Sequence, residues 1–147
     1  MARTFVGLLL VAAAVRAAPK VVPPAGPNVV IIGSGSTNAA GFQIEVLRSG
    51  VAVMSTVQGP GERATASPKR VQLPAAMVRR LYEDLGVAMP LAALPAVHCM
   101  KSASFGTSMT IHWGKEQTPD LNCGAGGNRV MGNLIRDVQK ILPLMRK

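Results

Sequence analysis

The chain has 147 residues, 48% of them hydrophobic and 16% charged. That balance excludes intrinsic disorder and leaves room for one domain around one core. Sixteen Lys and Arg against seven Asp and Glu give a net charge of +9, aromatic residues make up 3%, and His98 and His112 are the two histidines, a stock of reactive side chains too sparse for most enzyme classes.

Residues 1–17 read as a secretory signal. Arg3 supplies the positive start, residues 5–15 form an uncharged apolar run, and Val15, Arg16 and Ala17 place small residues where a signal peptidase reads them. The expected cut follows Ala17, with Ala14 as the other option; cutting after Ala18 would leave Pro19 first. A membrane anchor needs about 20 apolar residues, and this run is about half that. Taking Arg3 and Arg16 from the 16 basic residues leaves 14 against 7, or +7, on an exported chain.

Residues 18–28 carry Pro19, Pro23, Pro24 and Pro27 and predict an extended leader. The single folded domain is expected over 29–147. Residues 29–32 form a β-branched run that ends in a flexible loop from Gly33 to Asn38. From Gly41 to Arg48 the pattern alternates, with Phe42, Ile44 and Val46 on one face and Gln43 and Glu45 on the other. Ser49-Gly50 marks a turn into a partner strand over 51–57, which Gly59-Pro60-Gly61 breaks. A weaker strand follows over 69–73.

Pro74 opens a helix to about Leu85, with Met77, Val78, Leu81 and Leu85 as its apolar stripe and Gly86 as its C-terminal cap. Residues 87–97 cross the domain in irregular form, anchored by Leu91 and Leu94. Residues 107–113 alternate again, with Met109, Ile111 and Trp113 facing one way, and Gly114-Lys115 turns the chain into a short partner near Glu116. Asn128 caps the last helix. Its wide apolar face is Val130, Met131, Leu134, Ile135, Val138, Ile141 and Leu142; Pro143 is expected to end it, with Arg146 and Lys147 complementing its negative end. The fold class that follows is α+β: an antiparallel sheet of four to five strands packed on two amphipathic helices, with one disulfide.

Cys99 and Cys123 are an even pair in a chain marked for export, so a disulfide is expected, worth roughly 3 kcal/mol by loop-closure entropy. A metal site is the alternative, since His98 adjoins Cys99 and His112 lies between the cysteines. Zinc ligands usually come in close pairs, a spacing missing here, so neither metal nor cofactor is expected. A serine hydrolase would need a Ser-His-Asp arrangement, but Ser34 and Ser36 do not sit in a Gly-x-Ser-x-Gly elbow. Asp84 and Asp137 are expected on the wet faces of their helices, which leaves Asp120 as the loop carboxylate. The glycine loop over 124–127 could cradle an anion, but it reads better as freedom for Cys123 to reach Cys99. The basic residues are scattered without interleaved aromatics, so nucleic acid is not an expected partner; an envelope protein or a polyanion is.

The run Phe42-Gln43-Ile44-Glu45-Val46-Leu47-Arg48-Ser49-Gly50, the Leu73-Pro74 pair with its helix, and Leu94-Pro95 give a layout over 41–142 that resembles small secreted bacterial α+β proteins of uncharacterised families. It also resembles emfourins, small α+β inhibitors of thermolysin-type proteases. The cysteine pair and the Pro-rich leader depart from the emfourin pattern, and the likeness implies no particular inhibitory residue. Two functions are expected from different classes. One is a non-enzymatic, inhibitor-like binding module, secreted or periplasmic, that presents a loop or an edge strand to a protein of the envelope or medium. The alternative is a small hydrolase or ligand-binding protein using His98, His112 and the loop from Ser34 to Thr37.

Overall fold

The computed structural model describes residues 26–57, 67–102 and 106–146. The signal reading, all of the leader before Gly26 and the break at Gly59-Pro60-Gly61 lie outside them. Six strands and two helices follow in the order β1 (Val29–Gly33), β2 (Gly41–Val46), β3 (Val51–Val57), β4 (Lys69–Gln72), α1 (Ala75–Ala88), β5 (Met109–Trp113), β6 (Glu116–Gln117) and α2 (Arg129–Arg146). Every strand joins one antiparallel sheet of order β4-β3-β2-β1-β5-β6. The architecture is the α+β one expected, with six strands where four to five were foreseen. Strand β1 is paired on both sides and so joins β2, β3 and β4 to β5 and β6 in one sheet.

The β-branched run of β1 earns that central place. Ile31 stands opposite Ile44 of β2 and Ile111 of β5, and all three are fully buried. The row they form meets Val78, Leu81, Leu85 and Ala88 of α1, and Met131, Leu134, Val138, Ile141 and Met145 of α2, in one core. Burying such side chains stabilises by about 1.5–3 kcal/mol each, so the helical stripes are held by the sheet rather than by intrinsic propensity. Phe42 and Ile135 sit half-buried at the margins. At the β2–β3 turn Gly50 takes φ +91°, a conformation costly for any residue with a Cβ.

Both helices run further than expected. In α1, Pro74 is the cap rather than the first helical residue, and the helix runs past Gly86 to Ala88. Pro90 stops it, because a residue before proline is pushed out of the helical region; Met89 has φ −67° and ψ 140°. In α2, Asn128 caps as expected, its Oδ1 accepting from Met131 N–H at 2.9 Å. Pro143 does not end that helix, which continues to Arg146. The ring removes one hydrogen bond near the end, to the carbonyl of solvent-exposed Gln139, which water can satisfy. Met145, 1% exposed, holds the last turn on the core.

Cys99 and Cys123 form the disulfide, with Cα atoms 5.3 Å apart. It ties the coil that leads toward β5 to the 3-10 turn Leu121–Cys123 ahead of α2. The sheet edges are short: β4 has four residues, carries Lys69 and Arg70 and follows Pro68, and β6 has two. Charge, proline and brevity are what discourage a foreign strand from adding there. Among the described residues no helix is long and apolar enough to cross a membrane.

Candidate functional site

The end of β1 and the starts of β2 and β5 converge, and beside them α2 finishes. Between these elements lies a cleft of about 230 Å³. Its apolar lining is Phe42, Met109 and Leu142; its polar lining is Ser34, Thr107, Ser108, Asn122 and Arg146, without a carboxylate or an imidazole. Ser34 closes the β1–β5 ladder twice: its N–H donates to the Ser108 carbonyl at 2.9 Å, and its Oγ accepts from Ser108 N–H at 2.7 Å. Among the described residues no acceptor takes the Ser34 hydroxyl proton. The loop beyond it folds back through a Ser36–Ala39 bridge.

Phe42 lines this cleft because Gly33 lacks a side chain. A Cβ at Gly33 would fall 2.3 Å from Phe42 Cε1, so the ring lies directly on the β1 backbone. The Arg146 guanidinium stands 5.9 Å from the centre of that ring, a contact worth about 0.5–1 kcal/mol at an exposed site. Arg146 has no carboxylate partner among the described residues.

Asp120 supports the cleft from behind. Its Oδ1 accepts from the N–H groups of Met109 (2.9 Å) and Asn122 (3.0 Å), and Lys101 Nζ pairs with its Oδ2. Asn122 Nδ2 in turn donates to Thr107 O and Oγ1, both at 3.1 Å. Desolvation pushes the Asp120 carboxyl up, but the bonds from Lys101, Met109 and Asn122, with the Lys101 charge, outweigh it and hold the group below the usual range. The ordered acid therefore positions the β5 entrance and Asn122.

The remaining sequence candidates do not meet there. His98 is exposed in the coil beside Cys99. His112 is half-buried on the open face of β5, opposite Val30 and Gln117, with Nε2 3.3 Å from Thr110 Oγ1. Of the four residues singled out, only Ser34 lines the cleft. Among the described residues no three His, Cys, Asp or Glu side chains are grouped to hold a metal ion.

A second polar cluster corrects the sequence reading. Asp137 is 1% exposed and Asp84 is mostly covered, so neither is on a wet face. They meet at the α1–α2 seam. Arg80 Nε lies 3.3 Å from Asp137 Oδ1 and 3.5 Å from Asp84 Oδ2, while Asn133 Nδ2 donates to Asp84 Oδ1 at 3.3 Å. Burial pushes the Asp137 carboxyl up to about 6, helped by the hydrogen bond and charge of Asp84, against the pull of Arg80 and Lys140. The signal was in the spacing. Asp137 stands three residues after Leu134 and four before Ile141, within the buried stripe.

No model of a known protein family matches the chain, and no curated protein matches it either.

Proposed function

We propose that the chain is exported, with residues 1–17 removed, and that the mature domain is a non-enzymatic, inhibitor-like binding module for an envelope or extracellular protein. Its docking end is the cleft between the Ser34 loop, the β5 entrance and the end of α2. One observation carries this reading: the cleft combines an apolar floor with hydroxyl and amide groups and an arginine that has no carboxylate partner among the described residues. Such a lining orients an acidic or carbonyl-bearing segment of a partner. The oxygen of Ser34 is already engaged by Ser108 N–H, which suits a structural hydroxyl better than a nucleophile. The guarded edges of β4 and β6 favour this end over strand addition. The disulfide fits a chain that works in an oxidising compartment. The resemblance to emfourins in the sequence pattern adds proteases to the partner classes worth testing.

The test is retention of a partner from envelope extract by immobilised mature protein. Wild type and Lys115→Glu, changed at the far end of the sheet, should retain the same protein; Arg146→Glu should lose it. Equal retention by all three would move the docking surface elsewhere. Retention of no protein by wild type would overturn the reading.

A further inference from the structure

We infer that the α1–α2 seam is a proton-operated clasp: in mildly acidic surroundings Asp137 holds a proton that it donates to Asp84, and its loss loosens the packing of the two helices. The inference stands on the seam alone and is independent of what the cleft binds. Among the described residues Asp84 Oδ2 and Asp137 Oδ2 are both buried and neither accepts a hydrogen bond, and the two carboxylates meet across Arg80, whose Nε lies 3.5 Å from Asp84 Oδ2 and 3.3 Å from Asp137 Oδ1. Leaving a buried charged oxygen unsatisfied is costly. One proton on Asp137 removes the problem at a stroke, because the acid then donates to Asp84 and a single negative charge remains to face Arg80.

The surrounding charges cannot do this by themselves. On α1, Arg80 is half-exposed and must serve both carboxylates from 3.3 and 3.5 Å. On α2, Asn133 is neutral, Lys140 acts on Asp137 only through its charge, and Arg136 is engaged with Asn133 Oδ1. From the sheet, β4 packs near α2 and brings Lys69 on its helix-facing side, opposite Met54. With both acids ionised, a buried carboxylate and a mostly covered one therefore share one half-exposed guanidinium, and like-charge repulsion acts across the seam. The native state holds the proton more tightly than the unfolded chain does. Stability must then fall as pH rises through the interval between the ordinary Asp value and the native one.

The test is urea unfolding of the disulfide-intact chain at pH 4.5 and pH 7.5, for wild type and Asp137→Asn. The amide of the variant supplies permanently the donor that the proton supplies in wild type. Wild type should show an unfolding equilibrium constant roughly tenfold or more higher at pH 7.5, and the variant should lack that part of the dependence. Equal pH dependence in the two proteins would overturn the clasp. If Asp137→Asn does not fold, carbon NMR of the Asp137 carboxyl in wild type decides: titration near pH 6 supports the clasp, and titration near pH 4 refutes it.

Discussion

Replacing Gly33 by alanine should destabilise the domain by about 1–3 kcal/mol, the usual cost of forcing extra volume into a packed site. The new Cβ would lie 2.3 Å from Cε1 and 2.4 Å from Cζ of Phe42, far inside contact distance. Strand β1 cannot retreat, because Gly33 is registered with Phe42 on one side and Met109 on the other. The ring must leave the backbone instead, losing its burial and its stack with Arg146. Urea unfolding followed by the fluorescence of Trp113, the single tryptophan, measures the cost. A double-mutant cycle then assigns it. With Phe42→Ala already in place the clash is gone, and Gly33→Ala should be neutral or stabilising by about 0.4–1 kcal/mol through reduced unfolded-state entropy. A cost that survives in the Phe42→Ala background would show that the clash with Phe42 is not its source.

Leu134→Ala removes a fully buried side chain from the face of α2 and should cost about 2–5 kcal/mol in the same assay; an effect below about half a kcal/mol would place Leu134 outside the core. Reduction of Cys99–Cys123, or Cys99→Ser, should lower stability by roughly 3 kcal/mol, read as a fall in the denaturation midpoint. Asp120 works in the opposite sense to Asp137: its carboxyl is held low in the folded state, so the stability it contributes is present above the ordinary Asp value and lost as pH falls below it. Lys101→Met should weaken that acid-side loss, visible as a shallower decline of melting temperature below about pH 4. Mass spectrometry of the protein from its native compartment should find Ala18 at the N-terminus; an intact Met1 would contradict the export reading.

Much of the fold was legible because period-2 and helical apolar patterns are local. The Ile44 and Ile111 faces, the Leu81 and Leu134 stripes, the Asn128 cap and the cysteine pair all announce themselves within a few residues. Sheet order is not local. Nothing near Val29 states that β5 will pair with it across the whole of β2, β3, β4 and α1, so neither the central place of β1 nor the strand count could be settled. Helix ends depended on competition: Pro90 outranked Gly86 as a stop, and the burial of Met145 outweighed the hydrogen bond lost at Pro143. Asp137 reads as solvent-facing by its charge, whereas its phase between Leu134 and Ile141 puts it in the buried stripe. The cleft was illegible for a further reason. Ser34, Phe42, Asn122 and Arg146 come from four parts of the chain, and each has an ordinary local role as loop, strand, turn or helix-end residue.

Whether the loop end of the sheet is where this domain meets a partner is decided by site-specific photo-crosslinking in cells that produce the protein. A photoreactive residue replaces Ala40, which lines the cleft, or Lys115, in the turn at the far end of β5. One discrete adduct is expected from position 40, suppressed when Arg146→Glu is added, and none from position 115. Adducts of equal yield from both positions, or one from position 115 alone, would contradict that placement.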